Sequence, residues 1–565
     1  MVLFRKIERR WNIYLRVLVV VTLILAITFR FANLSIKPYW EDEVYTSIRI
    51  SGYTLGIVQE QLDRKVVLVE SLSQYQDVDK SGRSWGDSIE ALLSRPEHAP
   101  LYFVLARAWA QVFGSSVGVM RALPAVISLF TLPLFYWLSW LLFNSSTTAD
   151  ITLCLACVSP ILIRQAQEAR PYSLWMVGIL VSSAVLLRAL RSNKRSTWIL
   201  YSLTVALTFW THLLSLLVFI IHSFYILALR WNAAPNFRAT SIRHMYAEGM
   251  NTLASPGITF QAPPVDRSRL ENFRKFLSLG TVAVLPWLVR IFYRFGSVRA
   301  ATDWQSQSLP LSLLVGGWVR NLSYLAFNWM PPGRWLIFAI FWIFLFSWCL
   351  FLLLSKAKLW QWLLPVLLCA VPSVLLIGPD LLFGGIRSLT PRYFIPTYLG
   401  AIFILGAGVS FNLSQSQNSL TMKGYRYFQR GLFHIILILM ISASWNNLHS
   451  PVWWKDNQLR SVKVAQTITN LTTPATIVSD YRLGHFMSIG LMLRPTDHFL
   501  WLREEATIGK EIDIDTVAGS SDNIFLFLPS DNLLNQLEEG LMKQQITVEQ
   551  TEIKDLYELS RSTPS

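Results

Sequence analysis

Residues 39–46 read Tyr-Trp-Glu-Asp-Glu-Val-Tyr-Thr and place three adjacent carboxylates, Glu41, Asp42 and Glu43, just after the first apolar run of the chain. Like charges this close disfavour one another's ionisation once water is partly excluded, so one carboxyl is left poised as a base. The plain reading of the same residues is an acidic first turn, favoured by the helix macrodipole. Three further polar groups stand out: Glu97 and His98 before Pro100; Gln167, Glu168 and Arg170 before Pro171 and Tyr172; and Arg387 with Arg392 before Tyr393 and Pro396. Carboxylates in one part and arginines in another suit a site that activates a nucleophile while gripping an anion. Guanidinium groups match phosphate through two parallel hydrogen bonds, and at a membrane surface that phosphate can belong to a lipid. The competing reading of Arg387 and Arg392 is snorkelling at a helix end.

The elements that carry these groups are apolar. The chain has 565 residues, 53% of them hydrophobic, with 23 tryptophans, and reads as an α-helical polytopic membrane protein. The lipid bilayer is therefore one partner, with tryptophans as interface anchors. A net charge of +15 invites a nucleic-acid reading. The basic residues, however, fall in short groups between apolar runs, as positive-inside orientation requires, and nucleic acid is set aside. Cys154, Cys157, Cys349 and Cys369 lie in apolar stretches and read as packing residues.

The basic group Arg5, Lys6, Arg9, Arg10 and Arg16 places the amino end of a retained first span, residues 11–33, in the cytoplasm, and the acidic motif outside. An external loop, residues 36–100, follows. Residues 101–113 carry Arg107 and fall short of the roughly 20 residues needed to cross, so they are expected as a surface or re-entrant helix. Spans are expected at 119–143, 151–163, 171–190, 198–210, 213–229, 276–292, 335–355, 360–377, 394–411 and 431–445, with 311–329 a further surface helix. The total is about eleven. This parity puts residues 164–171 and the loop 378–392 on the face of Asp42. From residue 450 the texture becomes that of a soluble, extracytoplasmic α/β domain, 450–565, beside a membrane domain, 1–449. Strands are expected at 473–479, 499–502, 524–528 and 546–553, and helices at 461–471 and 531–543.

Asp77 with Asp79, and Asp513 with Asp515, form Asp-x-Asp pairs, but neither follows a nucleotide-binding strand and glycine turn, so no metal ligand is assigned. His212 reads either as a packed histidine at a span end or as a site residue, and Tyr172 and Tyr393 equally as interface aromatics. Asn321, Asn412 and Asn470 begin glycosylation sequons.

Five motifs, Trp-Glu-Asp-Glu-Val-Tyr (40–45), Glu-His-Ala-Pro-Leu-Tyr (97–102), Gln-Glu-Ala-Arg-Pro-Tyr (167–172), Trp-Thr-His-Leu (210–213) and Arg-Tyr-Phe-Ile-Pro (392–396), occur in an order that resembles the GT-C membrane glycosyltransferases. The likeness is to the family 39 branch of protein O-mannosyltransferases and the lipid A aminoarabinose transferase, and it covers about residues 10–410. Ala99 departs from it, since relatives carry a second proline there. The resemblance implies a polyprenyl-phosphate-linked sugar as donor, a glycan, lipid or protein acceptor, an external active site and inversion at the anomeric carbon. By position it implies Asp42 as catalytic base with Glu43 beside it in the acidic pair, Arg387 and Arg392 on the donor phosphate, and a pocket that includes Glu168 and His98. Glu41, Arg170, Tyr172, His212 and Tyr393 complete the expected pocket. No cofactor is assigned, and a divalent cation stays open. The chemistry agrees: a phosphodiester leaves as a phosphate anion needing little protonation, so one base opposite a cation clamp suffices, without the second carboxylic acid of a glycosidase.

Two rivals stand beside this reading. A lipid-linked sugar transporter or flippase needs charges buried near the midplane of its spans and a duplicated half, neither of which the sequence displays. A membrane scaffold acting through its terminal domain would leave the polar loops incidental.

Overall fold

The computed structural model describes residues 2–233, 263, 265–326, 335–411, 420–452, 456–503, 523–542 and 546–561. Among the described residues eight helices are long and apolar enough to cross a membrane, or up to ten if each of two bent helix pairs counts as one span. The protein is an integral membrane protein. About eleven were expected, and at three of the expected positions the helices are short or bent. The expected span at 198–210 is the helix Arg195–Thr211, only 17 residues long. The spans expected at 151–163 and 276–292 are the bent pairs, Ser146–Val158 with Pro160–Ala166 at 58° and Arg267–Val282 with Leu285–Tyr293 at 51°.

The first of these breaks has a visible chemistry. Pro160 lacks an N–H and cannot continue the ladder of the preceding helix, which frees carbonyls near Ser159. Arg30, wholly buried at the end of the helix Val2–Phe31, donates to the Cys157 carbonyl at 2.9 Å and to Ser128 Oγ at 3.1 Å, and Ser444 Oγ donates to the Val158 carbonyl at 2.9 Å. A buried arginine in a span end is tolerated because backbone oxygens replace its water. The break turns the chain so that residues 164–171 return to the end of the bundle where the acidic motif sits.

The helix Leu101–Phe113 is 13 residues long, short as expected. Arg107 is buried and donates to the Ile50 carbonyl, to Ser88 Oγ and, at 2.6 Å, to the Arg83 carbonyl, so it fastens three parts of the 36–100 loop together. The surface helix expected at 311–329 is Leu311–Ser323. The helix Leu359–Phe383 runs beyond its expected end at 377, so the loop expected to begin at 378 begins at Gly384.

The terminal unit is a six-stranded sheet in the order β1-β3-β2-β4-β6-β5, with β1 Val66–Leu68, β2 Ala475–Ser479, β3 His498–Trp501, β4 Asn523–Phe527, β5 Ile546–Gln550 and β6 Leu556–Arg561. β2 runs parallel to both β3 and β4, while the outer pairs are antiparallel. The four expected strands are β2 to β5, and the helices Asp456–Thr469 and Asp531–Met542 stand near the two expected ones. Strand β1 comes from the 36–100 loop, pairing Val67 with Phe499. Arg64 N adds a bond to the Trp501 carbonyl at 2.9 Å, and Arg503 N one to Asp63 Oδ1 at 2.9 Å. The sheet is therefore closed at one edge by the same loop that carries the acidic motif. The helix Leu483–Gly490 lies on Tyr45 of that motif; Gly484 permits the approach, since a Cβ there would fall 2.5 Å from the tyrosine ring.

Candidate active site

The acidic residues open a helix, Glu41–Ile50, in which all three occupy the first turn. Their neighbours give them different work. Glu43 is fully buried: Arg121 Nε meets Oε1 at 2.9 Å and Nη2 meets Oε2 at 2.6 Å, while the backbone N–H groups of Trp40 and Ala169 donate to it at 3.1 and 2.8 Å. Arg121 also donates to the carbonyls of Leu34 and Lys37, both at 2.8 Å, and of Pro38 at 2.7 Å. With both oxygens occupied twice, Glu43 fixes the turn from residue 34 to 43 against the 164–171 segment. Glu41 accepts from Tyr45 Oη at 3.2 Å, under the terminal domain.

Asp42 is the acid left partly open. Its Oδ2 lies 3.2 Å from Arg392 Nη1 and 4.0 Å from Arg170 Nη2, and both Asp42 and Arg392 keep about a fifth of their side-chain surface exposed, 22% and 21%. Arg170 is held in place from behind, donating to the Asp42 carbonyl at 3.1 Å and to Thr46 Oγ1 at 3.0 Å. Arg392 lies over the rings of Trp40 and Tyr393, at 5.4 and 5.7 Å. Residues some 350 apart in sequence thus meet at one carboxylate, and the segments 39–46, 164–171 and 391–394 share one end of the bundle.

The remaining expected residues divide. Glu168 is buried and paired with Arg164 at 2.9 Å. Tyr172 is buried beside His212, with ring centroids 6.2 Å apart, and His212 stacks on Trp175 at 4.2 Å and 16°. His98 lies against Phe103, and the charges around it are Arg49, Arg170 and Arg392 with His212. Tyr393 Oη accepts from Gln305 Nε2 at 2.9 Å. Arg387 forms an ion pair with the buried Asp380, at 3.0 Å, and Asp380 also accepts from Ser388 N at 2.7 Å. It serves to fasten the turn after the helix Leu359–Phe383.

Three cations went unread in the sequence. Arg121 and Arg30 were hidden inside expected spans, where a charged residue is itself the signal of a buried partner. Arg49, in the acidic helix, is buried with its Nη1 on the Tyr45 carbonyl at 2.9 Å; burial first, then Arg170, pushes it down to about 10, so it stays charged at neutral pH. Asp77 uses its Oδ1 to accept from Asp79 N at 3.0 Å and forms a local turn, while Asp513, Asp515 and Asn412 lie outside the described residues. Among the described residues no group of three or more His, Cys, Asp or Glu side chains gathers as a metal cluster. An apolar groove of about 410 Å³ lined by Phe224, Leu227, Trp231 and Leu359 carries no titratable group and lies at the other end of the helix Ser215–Ala233 from His212.

Burial, and after it the surrounding arginines, holds both histidines neutral: His98 well below the ordinary 6.5, and His212 down to about 3. Below about 6.5 the unfolded chain takes up protons that the folded one refuses, so their contribution is full above that value and is lost as pH falls towards 3. The loss is at most about 1.4 kcal/mol per pH unit for each histidine. The melting temperature of the detergent-solubilised protein should therefore fall from pH 7 to pH 4, and His212→Gln should flatten that fall. A slope unchanged by the substitution contradicts the assignment.

No family model matches the chain, and no curated protein matches it. Its neighbours among solved structures are GT-C glycosyltransferases, and the chain has the GT-C membrane glycosyltransferase fold. The crystal structure of ArnT from Cupriavidus metallidurans bound to undecaprenyl phosphate aligns with a TM-score of 0.51 and 12% identity over 97% of this chain and 99% of that one. The apo state of the same protein aligns at 0.50 and 12% identity over 98% and 100%. The Archaeoglobus fulgidus oligosaccharyltransferase stands at 0.45, with 11% identity over 94% of this chain and 68% of that one.

Proposed function

We propose that this protein is a glycosyltransferase that moves a sugar from a polyprenyl-phosphate donor to an acceptor hydroxyl or amine, with inversion. The observation that carries the reading is the 3.2 Å contact between Asp42 and Arg392 at an open end of the bundle. Asp42 takes the acceptor's proton as its oxygen or nitrogen attacks the anomeric carbon. The bond from that carbon to the phosphate oxygen breaks on the opposite face, and the phosphate leaves with the electron pair. Arg392 stabilises the charge that develops there, as a fixed guanidinium can. Without substrate Arg392 neutralises Asp42; the donor phosphate competes for the same guanidinium and frees the carboxylate to act as base. Glu43 is a positioning residue, and Arg170 holds the Asp42 backbone. The undecaprenyl phosphate of the ArnT crystal structure supports a lipid of this class as donor. The basic residues before the first span support an extracytoplasmic site.

Arg392→Ala should raise KM for a polyprenyl-phosphate sugar about 10- to 100-fold, the loss of a charge-assisted contact of about 1.5–3 kcal/mol. Arg392→Lys should recover part of it, since the charge returns without the planar fork. Kinetics in liposomes read both, and an unchanged KM in Arg392→Ala overturns the phosphate role.

A further inference from the structure

The helix Glu41–Ile50 is gripped from two sides. On one, Glu43 is paired with Arg121, and Arg170 donates to Thr46 Oγ1 and to the Asp42 carbonyl, which fixes that face against the helix Val117–Leu129 and the 164–171 segment. On the other, Tyr45 is pressed against the helix Leu483–Gly490 of the terminal domain: a Cβ at Gly484 would fall 2.5 Å from Tyr45 Cζ, 2.6 Å from Cε1 and 2.8 Å from Oη. Tyr45 Oη donates to Glu41 Oε1 at 3.2 Å, and the Gly484 backbone meets the same oxygen. At about 100° per residue, Asp42 projects from the helix between Tyr45, about 60° to one side, and Thr46, about 40° to the other. The acid left partly open stands on the seam between the two grips. Any rotation of the helix moves it relative to Arg392, 3.2 Å away.

The contact at Tyr45 has little give. Phe486 stacks on Phe499 at 3.8 Å and 23°, His485 stacks on Phe527 at 6.0 Å, and a Cβ at Gly490 would fall 2.9 Å from Leu72 Cδ1 of the 36–100 loop, so the helix Leu483–Gly490 is backed by the sheet and by that loop. Trp501 Nε1 donates to the Tyr481 carbonyl at 2.8 Å just ahead of the helix, and β1 closes the sheet beside it. On the opposite side the Tyr45 hydroxyl is held by Glu41, and the buried Arg49 donates to the Tyr45 carbonyl at 2.9 Å with its guanidinium 5.8 Å from the ring centroid. A displacement of the ring is therefore passed to the helix that carries it.

We propose that the terminal domain sets the position of the base: Tyr45 is a positioning residue, and the close packing of Gly484 on its ring fixes the rotation of the acidic helix and with it the distance from Asp42 to Arg392. The assignment rests on the transferase reading and extends it to the terminal domain, which gains a part in the chemical step. The cation assigned to the donor phosphate, Arg392, stands outside the acidic helix, so a change at Gly484 acts on turnover and leaves donor binding in place.

The test is turnover and donor binding of the full chain in liposomes, with a polyprenyl-phosphate sugar that the wild type consumes. Gly484→Ala should lower kcat about 10- to 100-fold, the reach of a misplacement of about 1 Å, with donor KM and affinity within about twofold of the wild type. Tyr45→Ala should lower kcat by itself, and adding Gly484→Ala to it should cost nothing further, because the new methyl group then meets no ring. Tyr45→Phe keeps the ring but loses the bond to Glu41, and should lower kcat about 2- to 10-fold, the worth of one hydrogen bond. A contact that merely stabilises the fold would lower the melting temperature and would lower kcat and donor affinity together. Wild-type kcat in Gly484→Ala, a loss of donor affinity alongside kcat, or additive effects of Gly484→Ala and Tyr45→Ala overturns the proposal. If Gly484→Ala is too scarce in membranes to assay, wild-type kcat in Tyr45→Phe overturns it instead. In each of these cases an inactive Asp42→Asn leaves the transferase reading standing, whereas wild-type turnover in Asp42→Asn overturns both.

Discussion

Asp42→Asn is expected to leave a folded protein at normal membrane levels whose rate of sugar transfer is lower by about 10²- to 10⁴-fold, the usual worth of a positioned base. The expectation is sharper than the motif alone allows, because the three adjacent acids have been sorted by their partners. Glu43 spends both oxygens on Arg121 and two backbone N–H groups, and Glu41 sits under Tyr45. Asp42 alone combines partial exposure with a guanidinium that a phosphate could take over. The asparagine keeps the shape and removes the base, so its effect should fall on kcat and not on KM for the donor. Turnover of a polyprenyl-phosphate sugar in membranes of producing cells, normalised to protein level, reads the result. Wild-type turnover in Asp42→Asn removes the base from the mechanism.

The second large effect belongs to stability. Arg121→Ala leaves Glu43 buried and without its bidentate partner, and truncating one member of such a pair costs about 3–5 kcal/mol. The same substitution releases the carbonyls of Leu34, Lys37 and Pro38, which form the turn that leads into the acidic helix. The variant is expected to be scarce in membranes and to melt far below the wild type in detergent. Glu43→Leu combined with Arg121→Met, which removes both charges at similar volume, should recover much of that loss. If Arg121→Ala melts normally and fails only in turnover, the Glu43 pair belongs to the chemistry and not to the scaffold.

How much of this was legible beforehand differs from residue to residue. The meeting of Asp42 with Arg170 and Arg392 followed from parity: counting apolar runs and reading 101–113 as too short to cross placed three distant polar segments on one face. The short helix and its Arg107 carried that inference. Arg387 was not separable from Arg392 by such counting, because both stand in one loop and only the course of the chain beyond residue 377 turns the first towards Asp380. The division of labour within the acidic trio was equally closed to reading, since it depends on Arg121, 78 residues further on. Strand β1 is three residues of Val-Val-Leu, too short for an alternating pattern to declare itself, and its pairing with β3 spans most of the chain. The bends at Ser159 and at residues 283–284 were closed to reading, since apolar length carries no sign of a change of direction.

What joins these points is that a base and a phosphate-binding cation share one substrate at Asp42. The most direct measurement is donor binding and donor consumption determined together, in liposomes, for Asp42→Asn and Arg392→Ala with a polyprenyl-phosphate sugar. Asp42→Asn should bind the lipid at least as tightly as the wild type and consume none of it above about a hundredth of the wild-type rate, while Arg392→Ala should lose binding first. Lipid bound and consumed at wild-type levels by both variants would show that the carboxylate and the guanidinium, though 3.2 Å apart, have no part in sugar transfer.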